Sequence, residues 1–155
     1  MKIWLDADAC PNEIKRIVYR ASDRLQIPTA LVANVPLPTD GWPLVEAVCV
    51  SHDFDAADDY IAEAVSPDDL VVTADIPLAA RVVEKGAVAL DPRGELYTEN
   101  NVGERLSMRN FMKGMRASGY IEGGPAPLHA GNKQQFANAL DRVLTRSLRS
   151  RRASP

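Results

Sequence analysis

Ile3-Trp4-Leu5-Asp6-Ala7-Asp8-Ala9-Cys10-Pro11 opens the chain with an apolar segment that runs directly into two aspartates. The apolar residues are typical of a buried strand, and Pro11 marks the start of a helix. On an extended segment the side chains of Asp6 and Asp8 point to the same side, about 6.5–7 Å apart. Their repulsion, roughly 2–3 kcal/mol at an effective dielectric constant near 20, is expected to be offset by a bound divalent cation. The alternative is that one aspartate caps the helix while the other is solvated.

Apolar strand-like runs alternate with amphipathic helical segments along the rest of the chain. The predicted strands are 2–6, 29–34, 47–50, 70–73 and 87–90, and the predicted helices are 11–25, 56–65, 77–85, 101–117 and 133–148. Strands separated by helices pair in parallel through right-handed crossovers. We therefore expect an α/β fold, a three-layer sandwich around a mostly parallel five-stranded sheet in the order 3-2-1-4-5.

Length and composition favour a single domain. The chain has 155 residues, of which 46% are hydrophobic and 25% charged, which suits one core of ordinary size. We predict one domain over 1–148, with the helix 133–148 docked through its apolar stripe, and a disordered tail over 149–155. The segment 122–127, rich in glycine and proline, is interpreted as a linker.

The sequence gives no sign of export or membrane insertion. The N-terminus lacks a signal-peptide pattern, and no apolar run approaches the ~18 residues of a membrane span. Cys10 and Cys49 have neither a CxxC nor a zinc-binding spacing. We therefore expect a cytoplasmic protein without a membrane partner. The net charge of −3 argues against unspecific binding of nucleic acid.

Four aspartates are expected to gather at one edge of the sheet. Asp6 and Asp8 follow the first strand, Asp75 follows the fourth, and Asp58 begins the helix that leads to the fourth. Ligands of open parallel sheets bind beyond the carboxyl ends of the strands, where the strand order reverses. The first and fourth strands flank that point, so the sequence predicts an acidic site there.

Other aspartates have a structural explanation. Asp53 and Asp55 precede a helix, where N-capping is the default role. Asp68 and Asp69 precede the fourth strand and are predicted to be turn and cap residues at the opposite edge of the sheet. Asp75 itself is also a good N-cap, because Pro77 follows in the first helical turn.

Three blocks, 6–11 (DADACP), 55–61 (DAADDYI) and 71–79 (VVTADIPLA), resemble the YaiI/YqxD family of bacterial proteins. Further similarity lies in 93–109 and in the Gly-Gly-Pro of 123–125, so the resemblance covers nearly the whole chain. It implies a PIN-like fold, related to metal-dependent nucleases.

The resemblance also implies a four-carboxylate site that cuts phosphodiester bonds. Asp6, Asp8, Asp58 and Asp75 are the expected catalytic residues; Asp6, Asp58 and Asp75 are the expected ligands of Mg²⁺ or Mn²⁺, with Asp8 an extra or alternative ligand. The expected partner is nucleic acid, with RNA favoured over DNA. The pattern departs from many PIN enzymes in one respect, because 76–81 contains no further acid. Asp91 could substitute, although the following proline favours a turn.

Several neighbouring residues are expected to assist. Asn12, Asp59 and Thr73 are predicted to orient the ligands through hydrogen bonds. The helical stripe that contains Arg105 and Arg109 is predicted to bind the phosphates of the substrate. Trp42, on a proline-rich loop, is the best candidate for stacking on a base, and His52 could approach the site.

Two other functions remain open on the sequence alone. In a haloacid-dehalogenase-like phosphatase, Asp6 would be the nucleophile and Asp8 the acid, with Thr73 and Lys85 in supporting roles. That interpretation lacks a downstream acidic motif. In a non-catalytic PIN-like module, an incomplete acidic site would leave only the binding of nucleic acid or of a protein partner.

Overall fold

The computed structural model describes residues 1–123 and 128–153 and forms an α/β sandwich around one sheet. The strands are β1 (Ile3–Asp6), β2 (Thr29–Ala33), β3 (Val45–Cys49), β4 (Leu70–Val72), β5 (Val88–Leu90) and β6 (Leu96–Tyr97). Their order is β3-β2-β1-β4-β5-β6, and only the β5–β6 pair is antiparallel. The predicted fold class and the order 3-2-1-4-5 are confirmed, with one strand more than expected.

The additional strand is a two-residue edge strand. In β6, Leu96 pairs with Leu90 and Tyr97 with Ala89, after a tight turn in which Gly94 has a φ of +94°. Two residues are too few to show the alternation by which a strand is recognised in a sequence. The edge strand β3 likewise begins at Val45, two residues before the predicted start.

The described residues form five α-helices: α1 (Asn12–Leu25), α2 (Ala56–Ala64), α3 (Ile76–Glu84), α4 (Val102–Ala117) and α5 (Ala130–Ala153). Since α5 continues to Ala153, the prediction of a disordered tail is wrong for 149–153, and 154–155 lie outside the described residues. Most of the predicted linker, 124–127, also lies outside them. In the described parts of the chain, no helix has the length and apolar character needed to cross a membrane.

Alternate residues of β1 enter two separate cores. Leu5 packs in the core formed with α1 and α5, which includes Phe136. Trp4 packs in the core formed with α2 and α3, which includes Ile61. Asp6 follows the parity of Trp4, so its side chain is directed to the α2–α3 side of the sheet, beyond the end of that core.

The aspartates before β4 hold the opposite edge of the sheet together. The buried carboxylate of Asp69 accepts hydrogen bonds from the backbone of Lys2 and of Ser66 and from the indole of Trp4, at 2.9–3.1 Å. Asp68 occupies a left-handed turn position with a φ of +71°. The prediction of structural roles for this pair is confirmed.

Candidate functional site

An acidic cavity of about 380 Å³ opens at the carboxyl ends of the central strands. Asp6 reaches it from the end of β1, Asp58 from the first turn of α2, and Asp75 from the N-cap of α3. The structure therefore brings together three of the four predicted acids from three distant segments. The fourth, Asp8, also lies on the wall of this cavity.

Thr73 connects two of these aspartates. Its hydroxyl donates to Oδ2 of Asp6 at 2.8 Å and accepts from the backbone N–H of Asp75 at 3.0 Å. Oδ1 of Asp75 accepts from the N–H of Leu78 at 2.9 Å, which caps α3. Capping and cavity lining, weighed as alternatives for Asp75 on the sequence, are therefore both observed.

The charged forms of two of these carboxyl groups, those of Asp6 and Asp58, are destabilised. Burial raises the pKa of Asp6 to about 6, against the hydrogen bond from Thr73, and the charges of Asp75 and Asp8 raise it further. Burial also raises the pKa of Asp58 to about 7, with additional contributions from Asp75, Asp6 and Asp55. Asp58 and Asp75 face each other closely enough to share a hydrogen bond. The cavity thus carries excess negative charge and binds protons near neutral pH.

The expected geometry of Asp6 and Asp8 on one extended strand is wrong. The chain leaves the strand at Asp6 and forms a 3-10 turn over Ala7–Ala9. Asp6 is therefore 4% exposed, whereas Asp8 is an exposed residue at the rim. Of the causes that raise the pKa of Asp6, the charge of Asp8 has the smallest effect.

The loop before α2 forms much of the cavity wall, which sequence reasoning missed. Asp53 and Asp55 were assigned to helix capping, but both line the cavity. Asp55 occupies the N-cap position with a φ of +60° and makes no side-chain cap bond, while Asp53 accepts from the hydroxyl of Ser51 at 3.1 Å. His52 lies on the same wall. A run of acids broken by one aromatic residue is the signal that could have identified this loop.

Phe54 is that aromatic residue, and its side chain is 93% exposed at the cavity. Trp42, the predicted stacking residue, instead packs against the core, with its ring centroid 6.4 Å from that of Tyr19. Phe54 therefore presents an exposed aromatic face at the wall of the acidic cavity.

Two residues predicted to orient the ligands lie elsewhere. Asp59 forms an exposed ion pair with Arg81 at 2.8 Å, and Asn12 lines a different cavity beside α1. Neither is among the described residues that line the acidic cavity. Of the three predicted supporting residues, Thr73 is the one that lies at the cluster, where it forms hydrogen bonds with both Asp6 and Asp75.

The predicted phosphate-binding stripe also lies away from this cavity. Arg105 forms an ion pair with Glu95 at 2.6 Å, and Arg109 donates to the side chain of Asn110 at 3.0 Å. Both arginines are on α4, which packs against α3 on the outer side of the sandwich. In the part of the chain that the structure describes, no lysine or arginine reaches the acidic wall.

Asp91 has the turn role that its neighbour Pro92 suggested. Its carboxylate accepts from the backbone N–H of Arg93 at 2.7 Å, and its carbonyl accepts from Gly94 at 2.8 Å. It is buried beside the β5–β6 turn and is not one of the described residues of the acidic wall. It does not replace the acid that the 76–81 segment lacks.

Lys85 and Cys10 do not supply catalytic groups to the cavity. The ammonium of Lys85 donates to the carbonyls of Ala62 and Glu63 at 3.0 and 2.9 Å, at the end of α2 remote from the acids. The lysine that a dehalogenase-like phosphatase would need is therefore engaged elsewhere. Burial raises the pKa of Cys10 to about 12, so its thiol stays protonated.

The acids form an open cluster. No three histidine, cysteine, aspartate or glutamate side chains within 1–123 and 128–153 already surround a position that would hold a metal ion. The donors are nevertheless of one kind, hard carboxylate oxygens, which suit Mg²⁺, Mn²⁺ and Ca²⁺.

The chain is similar to known proteins over nearly its whole length. The model of the family described as "Uncharacterized BCR, YaiI/YqxD family" matches residues 4–146. UPF0178 proteins of Geobacter metallireducens and Hahella chejuensis are 60% and 51% identical, over 98% and 97% of this chain and 98% and 100% of theirs. No solved structure matches the chain. The chain therefore belongs to the YaiI/YqxD family.

Proposed function

We propose that this protein is a divalent-metal-dependent nuclease that hydrolyses phosphodiester bonds at the acidic cavity. One observation carries the proposal: Asp6, Asp58 and Asp75, from three separate elements, converge on a cavity of about 380 Å³. The described wall offers them no lysine or arginine as a partner. Such a concentration of uncompensated carboxylates is costly to folding, and a site for a cation is the usual reason to retain it.

The donor set fits Mg²⁺ or Mn²⁺. These ions bind through one or a few carboxylates and keep several waters, so an open cluster meets their requirements. The protons held by Asp6 and Asp58 near neutral pH would be released on binding. When bound, the metal would supply an activated water and charge relief for the leaving oxygen.

The protein's own groups then have distinct tasks. Thr73 fixes one oxygen of Asp6 and the backbone of Asp75, so these two carboxylates are oriented before any ligand arrives. Asp75 keeps Oδ1 on the helix N-terminus, which leaves Oδ2 for the cavity. Asp58, the acid with a pKa of about 7, is the group that exchanges a proton most readily in the physiological range.

The substrate we propose is single-stranded nucleic acid, with RNA tested before DNA. Phe54 is 93% exposed at the cavity, and an aromatic face at that position would stack on an unpaired base. Stacking would add affinity at this cavity, because the acidic wall itself repels phosphates. A paired base in a duplex would not present its face to Phe54.

One observation favours a second candidate, a binding module without catalysis. The described residues hold no preformed set of three metal-binding side chains, and 76–81 lacks an acid. If the acidic cavity binds no metal, the protein would bind nucleic acid or a protein partner without catalysing cleavage. The two functions differ in their response to a divalent metal.

The deciding experiment measures metal binding and cleavage in the same protein. Single-stranded RNA and DNA labelled at one end are incubated with the full chain in Mg²⁺, Mn²⁺ or EDTA, and the products are resolved on a denaturing gel. We expect metal-dependent cleavage by the native protein, and loss of cleavage with weaker Mn²⁺ binding in Asp58→Asn and Asp75→Asn. Melting curves of each variant show whether it is folded.

Asp59→Asn is the matched control, because it removes a charge from the same turn of α2 outside the cavity. It should cut and bind metal as the native protein does. RNA binding by the native protein without cleavage in any divalent metal would reject the nuclease and favour the module. Turnover of a small phosphate ester through a covalent aspartyl phosphate would instead favour the phosphatase.

A further inference from the structure

A second cavity, of about 250 Å³, lies beside the first two turns of α1. Its polar wall consists of Asn12, Lys15, Arg16, Tyr19 and Asp40. Two cations therefore face one carboxylate, the opposite of the acidic cavity. The proposed function makes no use of this cavity.

Its two cations have no ion-pair partner within the described residues. Lys2 and Arg81, for example, each pair with a carboxylate at 2.8 Å, whereas neither Lys15 nor Arg16 forms an ion pair among the described residues. Lys15 is half-buried and lies near the thiol of Cys10, whose pKa burial raises and the charge of Lys15 lowers. The two cations outnumber the single carboxylate of Asp40 on this wall and form no ion pair with it, which favours the binding of an anion.

Tyr19 adds a hydrogen-bond donor. It is 3% exposed, with its ring packed beside Trp42, and its hydroxyl makes no hydrogen bond to any other described residue. Fully buried side-chain oxygens and nitrogens of the described residues all have partners. The hydroxyl must therefore reach the surface of the cavity that the residue lines. Burial raises the pKa of Tyr19, and the charge of Asp40, on the same wall, raises it further.

The two cavities are close neighbours. Asp8 lines the acidic cavity and Asn12 the second one. Likewise, Asn34 lines the acidic cavity and Leu31 the second one. Three or four residues of chain span at most about 10–14 Å. A few nucleotides of one strand cover that distance.

We propose that the Lys15–Arg16 cavity binds a phosphate group of the same nucleic-acid strand whose phosphodiester bond lies at the acidic cavity. This inference rests on the proposed function for its placement on a strand. Lys15 and Arg16 supply charge, and the hydroxyl of Tyr19 and the amide of Asn12 supply directed donors to the phosphate oxygens. The phosphate is either internal to the strand or a terminal monoester at its 5′ or 3′ end.

Binding is measured without cleavage, on the full chain in EDTA. Fluorescence anisotropy compares one RNA sequence in three forms, with a 5′-phosphate, with a 3′-phosphate and with neither, and inorganic phosphate is the competitor. We expect the Lys15→Ala/Arg16→Ala double variant to bind the preferred form about tenfold or more weakly. The slope of log affinity against log salt should also fall by about 1 for each cation removed.

Two further variants separate the site from general charge and from folding. Arg20→Ala removes the same charge one turn along α1, outside this cavity, and should bind as the native protein does. Tyr19→Phe keeps the packed ring and removes only the hydroxyl, so it should weaken binding several-fold with little change in the melting temperature. If the native protein prefers the RNA with one of the two terminal phosphates, that terminal phosphate is the group bound in the cavity. If the double variant loses the same affinity for all three RNA forms, the bound phosphate is internal to the strand.

The outcomes also separate this inference from the nuclease proposal. If the double variant binds every RNA form and inorganic phosphate as tightly as the native protein, the phosphate site is rejected, even where the native protein cleaves RNA. If the double variant loses binding but the native protein cleaves nothing in any divalent metal, the phosphate site stands and the nuclease is rejected.

Discussion

The hydroxyl of Thr73 donates a 2.8 Å hydrogen bond to Oδ2 of Asp6, although the two residues are 67 positions apart in the chain. The contact exists because β1 and β4 are neighbours in the sheet and both end at the acidic cavity. The same hydroxyl accepts from the N–H of Asp75. One buried side chain therefore fixes the relative position of two acids, and this relationship leads to the first prediction.

Thr73→Val should lower the free energy of unfolding by about 1–3 kcal/mol, because a similar volume is retained while the buried hydroxyl is lost. It should also raise the pKa of Asp6, since the hydrogen bond from Thr73 lowers it in the native protein. Urea denaturation and carboxyl NMR titration measure the two effects. Thr73→Ser keeps a hydroxyl at this position and should have the native stability and the native pKa of Asp6. If Thr73→Val leaves both quantities unchanged, the hydrogen bond has no role.

Asp6→Asn should stabilise the protein at pH 8. The pKa of Asp6 is raised from 3.8 to about 6, so the folded state holds this proton more tightly than the unfolded state. The resulting stability is fully present below about pH 4 and is lost as pH rises through about 6. In metal-free buffer we expect Asp6→Asn to be about 1–3 kcal/mol more stable than the native protein at pH 8 and nearly equal to it at pH 4. If Asp6→Asn and the native protein differ in stability by the same amount at pH 8 and at pH 4, this prediction is wrong.

Mn²⁺ should bind the native protein about tenfold or more tightly at pH 8 than at pH 6. Asp6 and Asp58, with pKa values of about 6 and about 7, must lose protons before their oxygens ligate a cation. Calorimetric titrations in buffers of different ionisation enthalpy measure both affinity and proton release. An affinity that does not depend on pH, or binding without proton release, would place the metal elsewhere.

Phe54→Ala should weaken the binding of single-stranded RNA by about 1–3 kcal/mol without changing the melting temperature. The side chain is 93% exposed, so its removal costs the fold almost nothing, while a stacking face beside the acids is lost. Phe111→Ala on α4 is the control, because it removes another exposed phenylalanine away from the cavity. Equal effects of the two substitutions in an anisotropy titration would show that Phe54 is not a specific contact.

Gly94→Ala should destabilise the fold by a few kcal/mol. The φ of Gly94 is +94°, and an added Cβ would lie 2.7 Å from the backbone carbon of Gln135, so α5 would have to move. Gly114→Ala on α4 meets no atom within 4 Å and should instead stabilise by about 0.5–1 kcal/mol. Thermal denaturation of both variants tests whether Gly94 lies this close to the backbone of α5. Similar melting temperatures for the two variants would contradict it.

The elements that sequence reasoning predicted best are those with a long pattern. The strands around Leu5, Leu31 and Val71 are continuous apolar runs between helices, and parallel pairing follows from their connections. The β5–β6 pair could not be predicted, because a two-residue strand carries no periodicity. Continuation of α5 to Ala153 was missed because the apolar stripe ends before the helix does.

For the candidate site, the sequence by itself determined that Asp6, Asp58 and Asp75 meet, since the strand order places their segments at one edge of the sheet. Only the tertiary structure decided which other groups join them. The 3-10 turn after Asp6 separates it from Asp8, the loop residues 51–55, which include Phe54, line the cavity, and Asp59 pairs with Arg81. The physical reason is that strand order follows from patterns many residues long, whereas the direction of a side chain depends on local backbone angles and on partners that are distant in the sequence.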